Sequence, residues 1–260
     1  EYAANEPRIV YAKIENQGIS ANTNAAAKLA AGPYLALADH DDMLAPHAVY
    51  CAGKLLAETD ADFVYSDEAL FEKSPERPKV GHFKPDYAPE YLMAVNYICH
   101  LAVFKKELFE AVGGERAACD GAQDHDLFLR IIDEMQRRDP AAKPLHIPQV
   151  LYYWRVHAAS TSSGTGAKPY VVKAAQKAVA DHLAATGRRG TVEEGKFPGT
   201  CHVNWQIDEP QPLVSILIPN KDHIDDLEKC LHSLYAKTTY ENFEVLVIEN
   251  NSADRATFAY

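Results

Sequence analysis

Short apolar runs rich in β-branched and aromatic residues recur along this chain. Between them, apolar residues fall three or four positions apart. The first pattern predicts strands and the second amphipathic helices. Strands are expected at residues 8–14, 34–38, 62–66, 100–104, 145–156 (two runs broken by Pro148), 191–193, 202–207, 213–218 and 243–248. Helices are expected at 21–31, 46–59, 91–96, 105–112, 124–138, 168–186 and 225–236. Gly32-Pro33 and Gly113-Gly114 punctuate helix ends, and Pro46 suits a first helical turn. Residues 72–90 carry Pro75, Pro78, Pro85 and Pro89 and read as a long irregular loop. Residues 160–166 form a Ser/Thr/Gly-rich loop. Strands alternating with helices predict an α/β fold with a mostly parallel sheet flanked by helices.

The strand at 34–38 ends abruptly in Asp39-His40-Asp41-Asp42. A buried strand that delivers acidic groups to its C-terminal end is how open α/β sheets build ligand sites. Crowded carboxylates repel one another unless hydrated or bridged by a cation. Oxygen ligands favour hard cations, so Mg2+ or Mn2+ shared with a phosphate is one reading. A solvated acidic turn that caps the following helix is the other, and the local pattern leaves both open.

Composition narrows the classes. The chain has 260 residues, 47% of them hydrophobic, enough for one large or two smaller globular domains. A net charge of −11 argues against general nucleic-acid binding, which needs a basic surface for phosphate contacts. No polybasic patch marks an anionic lipid surface. No apolar stretch approaches a bilayer span, and no signal-peptide pattern opens the sequence. The five cysteines are odd in number and lack paired spacing. They read as reduced, mostly buried thiols of a cytoplasmic protein.

Four ordered motifs run through residues 8–158. They are Asn16-x-Gly18-Ile-Ser20, Gly32-x-Tyr34 followed by Asp39-His-Asp41-Asp42, Gly121-Ala-Gln-Asp124-x-Asp126-Leu, and Tyr153-Trp-Arg155-x-His157. Together with Val214-Ser-Ile-x-Ile-Pro219 and Val247-Ile-Glu-Asn-Asn-Ser252, they resemble the family-2 glycosyltransferases of the GT-A fold. The resemblance implies inverting transfer of a sugar from a nucleoside-diphosphate donor, of UDP or dTDP type, to a glycan or lipid-linked acceptor. It implies Mn2+ or Mg2+ at Asp41 or Asp42, with Asp39 near the donor ribose. It places Arg155 and His157 toward the diphosphate or metal, and Asp124 as general base. Gln123 stands where the family has Glu, and a helix N-cap is the alternative role for Asp124. Trp154 reads as core or as an acceptor platform. Asp67 and Glu68 read as a solvated pair at a strand end on the acceptor side. Pro219, Asn220, Glu249 and Asn251 would line the base pocket. There, Glu249 and Asn250 stand where relatives place Asp. Thr23 stands where relatives often have Arg, which leaves the diphosphate to the metal, Arg155 and Lys221.

The order of the pieces departs from the family. The strand–helix–strand that opens a GT-A domain appears here at residues 213–254. A tandem-domain fragment and a circular permutation both give this order. The expected organisation is a catalytic part at 1–160, a helix and connector at 161–211, and a nucleotide-side unit at 212–260. That last unit is expected to supply the central strand, with 213–218 beside 34–39, within one chain or through a segment-swapped dimer. Peripheral membrane association of the full-length protein is a further expectation of the resemblance. Two other classes stay open: a non-catalytic nucleotide-sugar or glycan binding module, and a metal-dependent phosphohydrolase built on Asp39–Asp42.

Overall fold

The computed structural model describes residues 2–156 and 169–260. It divides into one compact unit up to Gln206 and a second from Ile207 to Tyr260. The first unit runs α1 (Tyr2–Asn5), α2 (Ile19–Leu29), β1 (Tyr34–Leu37), β2 (Met43–Leu44), α3 (Ala48–Thr59), β3 (Phe63–Phe71), β4 (Val80–His82) and α4 (Pro89–Ala94). It continues through β5 (Ala102–Lys105), α5 (Lys106–Ala111), α6 (Gln123–Arg138), β6 (Leu145–Arg155), α7 (Pro169–Ala185), β7 (Gly190–Glu194) and β8 (Cys201–Trp205). The second unit holds β9 (Val214–Asn220), α8 (Ile224–Lys237), β10 (Phe243–Glu249) and α9 (Arg255–Ala259).

The class is α/β, as the alternation predicts. A six-stranded sheet has the order β1-β5-β3-β6-β2, with β4 also paired to β3. Its pairing is mixed. Only β3 and β6 run parallel in it, while the other pairs are antiparallel. Part of the reason is local. β4 returns from β3 through a short loop, too short for the crossover that a parallel pair requires.

β3 is buried along nearly its whole length, because helices cover both sheet faces. On one face Phe63, Tyr65 and Phe104 meet Leu127, Phe128, Ile131 and Ile132 of α6. On the other, Val64, Val103, Ile147 and Leu151 meet Ala48, Ala52 and Leu56 of α3. α6 suits this place. Its apolar stripe faces the core, Asp124 and Asp126 sit in its first turn, and Arg137 and Arg138 close its last. That charge order complements the helix dipole. α7 and the β7–β8 hairpin are more than a connector, since Ala178, Val179, Leu183 and Cys201 belong to the same core.

Two further expectations change. Leu145–Arg155 form one strand, with register shifts opposite Ser66, Asp67 and Glu68 that absorb Pro148. Pro148 has no N–H for the ladder, and a bulge accommodates it. Residues 8–14 join no strand ladder, and Val10 and Tyr11 are exposed. A strand forms only where a neighbouring edge takes its backbone groups. In the second unit β9 pairs in parallel with β10, and in the first unit β1 is an edge strand.

All five cysteines are free. Cys119 and Cys201 are buried, but Cys230 is exposed, so the expected burial holds only in part. Among the described residues no helix is long and apolar enough to cross a membrane.

Candidate active site

The acidic turn after β1 is held from across the sheet. The Tyr152 hydroxyl donates to Asp42 Oδ2 at 2.6 Å, and the Arg155 backbone N–H donates to Asp42 Oδ1 at 2.7 Å. Arg155 Nε donates to the Asp41 carbonyl at 2.6 Å, and the Asp39 N–H donates to the Tyr152 hydroxyl oxygen at 3.0 Å. The Arg155 guanidinium also lies 4.5 Å above the Phe71 ring. Burial raises the Asp42 carboxyl above its usual range, and Asp39 and Asp41 add to this, against the bonds from Arg155 and Tyr152.

The three carboxylates therefore differ. Both oxygens of Asp42 face β6 and anchor the turn, whereas the Asp39 and Asp41 side chains keep 54% and 33% of their exposure. Two accessible carboxylates in one clamped turn are a donor set that fits a hard divalent cation. The expected third ligand, His157, lies outside the described residues. Arg155 is engaged with the turn itself, through the Asp41 carbonyl.

Asp124 lies in the first turn of α6, with Ala122 at the cap position, so it is not the N-cap. Its Oδ2 sits 3.4 Å from Gln123 Nε2 and 3.8 Å from the Cys99 sulfur. Burial pushes the Asp124 carboxyl upward; a charged His100 would oppose this, and Asp39 adds to it. His100 Nε2 is 3.9 Å from Asp39 Oδ2. The imidazole thus links the acidic turn to the start of α6. Its ring stacks on Tyr152 with centroids 4.7 Å apart, and the Trp154 ring is 6.2 Å away and tilted to it. Asp126, two residues on, is buried between Arg116 and Arg130 and is structural.

Asp67 and Glu68 are not a solvated pair. They lie inside β3 at 3% and 2% exposure. Asp67 Oδ1 accepts from the Lys84 N–H and meets His146 Nε2, both at 2.8 Å. Glu68 meets His82 Nδ1 at 3.0 Å and Lys84 Nζ at 3.5 Å, and it accepts from the backbone N–H of His100. Burial alone would raise Glu68, but His82, Lys84 and His100 together hold it below its usual range. Lys84 in turn donates to the carbonyls of Ile98 and His100 at 3.1 and 2.6 Å. This buried network fixes the segment that presents His100. Sequence reasoning missed Lys84, His100 and Tyr152 as parts of the site. The available signal was an acidic pair inside an otherwise apolar strand, which demands a buried cation nearby.

Beside α6, Glu115 is 5% exposed, and one of its carboxylate oxygens, Oε2, has no hydrogen-bond partner. Burial, with Asp124 nearby, raises its pKa from 4.5 to about 8. The folded state then binds the proton more tightly than the unfolded chain. Stability is highest below the unfolded value and falls as pH rises toward 8, by up to about 5 kcal/mol. Glu115→Gln should remove this slope in thermal melts taken at about pH 5 and about pH 9. Equal slopes in the two proteins would refute the assignment.

In the second unit, β9 and β10 end side by side, with Asn220 opposite Glu249. The Asn250 N–H donates to the Asn220 carbonyl at 2.8 Å, so the two loops leave together. Such paired carboxyl ends are where parallel sheets bind ligands. Glu249 accepts from the Ser252 backbone N–H, which lowers its carboxyl and ties it into its own loop. Asp222, unremarked in the sequence, accepts from the N–H groups of Ala253 and Asp254 at 2.8 Å each. Pro219 and Asn220 close β9, and Asn251 takes a left-handed conformation with φ of 54°.

The family model of Glycosyl transferase family 2 matches residues 1–113 and 215–257. The chain is 38% identical over 262 residues to a Sinorhizobium fredii (strain NBRC 101917 / NGR234) protein named Uncharacterized protein y4gI, across 100% of the chain and 28% of that protein. It is 33% identical over 264 residues to the O-antigen biosynthesis protein RfbC of Myxococcus xanthus, across 100% of the chain and 20% of that protein. It is 25% identical over 163 residues to a chondroitin synthase of Escherichia coli, across 62% of the chain and 23% of that protein. The chain thus spans less than a third of the length of each of these relatives.

Proposed function

The chain belongs to glycosyl transferase family 2, and from that premise we propose that it takes part in metal-assisted, inverting transfer of a sugar from a UDP or dTDP donor to a glycan or lipid-linked acceptor. One observation carries the reading. Two accessible carboxylates, Asp39 and Asp41, are held in a clamped turn that His100 links to the half-buried carboxylate of Asp124. A Mn2+ or Mg2+ bound there would offset the charge that the leaving diphosphate gains. Asp41 is its proposed ligand, with Asp39 toward the ribose. Tyr152 and the Arg155 N–H fix Asp42 so that the turn is organised before the donor arrives. Asp124 takes the proton of the acceptor hydroxyl, which is a poor nucleophile until deprotonated. Trp154, beside His100, offers an apolar face to an acceptor sugar. The names of the Myxococcus and Escherichia relatives favour a polysaccharide product. Free cysteines and a nucleotide-sugar donor favour the cytoplasm, at the membrane where lipid-linked acceptors reside.

The loops after β9 and β10 are the proposed donor-base side, with Pro219, Asn220, Glu249 and Asn251 facing the nucleotide. We further propose that this unit serves a catalytic unit like residues 2–206, in a longer chain or a swapped pair of chains. Calorimetric titration with UDP and with dTDP, with and without Mn2+, tests the reading. Binding that requires Mn2+ and vanishes in Asp41→Ala is the expected result. No binding of either nucleotide overturns it for this chain. Metal-dependent binding without turnover would favour the second reading, a binding module. The pairing of β9 with β10 in a two-stranded sheet is the observation behind that alternative.

A further inference from the structure

Beside the acidic turn lies a cluster that the proposed transfer does not fully use. The Cys99 sulfur, an imidazole nitrogen of His100 and a carboxylate oxygen of Asp124 lie within 4.8 Å of one another. We propose that these three side chains form a site for a thiophilic divalent cation of the zinc class, distinct from the hard cation assigned to Asp41. The chemistry separates the two. A thiolate and an imidazole select zinc-like ions, whereas carboxylates without sulfur suit Mg2+ and Mn2+.

The geometry is near to what such an ion needs. A sulfur and a carboxylate oxygen on one tetrahedral zinc stand about 3.6 Å apart, given the usual bond lengths. Here Cys99 Sγ and Asp124 Oδ2 are 3.8 Å apart. The sulfur is 2.7 Å from His100 Nδ1 and 2.8 Å from Nε2, so the imidazole must draw back by somewhat under ~1 Å and turn Nδ1 toward the shared position to admit an ion. The supports are already in place. The His100 ring stacks on Tyr152, and its backbone is held by Glu68 and Lys84. Asp39 Oδ2 lies 3.9 Å from Nε2, so a shift of about 1 Å would make it the outer carboxylate that orients an imidazole bound to metal through Nδ1. Three protein ligands leave a fourth position for water. Coordination takes the thiol as thiolate, so its proton leaves to solvent.

The consequence for transfer rests on Asp124 being the base. A carboxylate bound to the cation cannot take the acceptor's proton, so zinc would block turnover. The binding itself does not depend on that role. Titrating the chain with Co2+ reads it directly, because cobalt on a thiolate gives a charge-transfer absorption. One equivalent of Co2+ is expected to produce this band, and Zn2+ to displace it. Cys99→Ser should abolish the band and Asp41→Ala should keep it. Asp124→Asn, which retains the thiol, should weaken Co2+ binding tenfold or more. Near-UV circular dichroism reports whether each variant is folded. No band in the wild-type chain, an undiminished band in Cys99→Ser, or unchanged affinity in Asp124→Asn would each overturn the site. If Cys99→Ser does not fold, the Asp124→Asn arm decides.

Discussion

Asp124→Asn is expected to lower acceptor-dependent release of nucleoside diphosphate by about 100-fold to 10,000-fold, the range that a positioned general base contributes. Asparagine keeps the size and the place of the side chain at the start of α6 but cannot accept a proton. The nucleotide is proposed to bind the Asp39–Asp42 turn and not Asp124, so its affinity should change by less than about twofold. The effect then falls on kcat, as expected for an interaction made in the transition state. Burial raises the Asp124 carboxyl, so the wild-type rate should fall on acidification at a higher pH than an exposed carboxylate would give. That limb should vanish in the variant. Rates in the two proteins within a factor of about three would remove Asp124 from the chemistry.

Lys84→Met is expected to destabilise the first unit by about 3 kcal/mol or more, measured by urea unfolding. The ammonium and Glu68 are both buried, at 4% and 3% side-chain exposure, with nitrogen and oxygen 3.5 Å apart. Burial lowers the Lys84 pKa, while Glu68 works to restore it. Removing the cation leaves a buried carboxylate short of a partner and also frees the carbonyls of Ile98 and His100. The paired replacement of Lys84 by Met and Glu68 by Gln should recover much of the loss, because the cost lies mainly in the unmatched charge. A loss below about 1 kcal/mol in the single variant would mean that water or His82 already satisfies Glu68.

The two predictions rest on information of different range. The alternation of strands and helices, the acidic turn after β1 and the first turn of α6 are written in neighbouring residues. Side-chain periodicity and turn chemistry act over a few positions, so all of these were legible. The family pattern was legible too, because its motifs are short and the four within residues 8–158 keep their order. The roles within the turn were not. Asp39, Asp41 and Asp42 look alike in the sequence, and what separates them is Tyr152, 110 residues from Asp42. Its hydroxyl turns one carboxylate into an anchor and leaves two accessible.

The same limit explains the errors at Asp67 and Glu68. A polar pair at a strand end is hydrated unless the strand continues into the core, and β3 continues because β4 and β6 flank it there. Their partners Lys84, His100 and His146 come from three separate stretches of chain. Strand pairing followed the same rule. The sequence by itself marked residues 8–14 and 213–218 as apolar segments suited to strands, and only the second forms one. Tertiary structure decided which edges they meet, because a strand is completed by a neighbour's backbone and no local pattern names that neighbour.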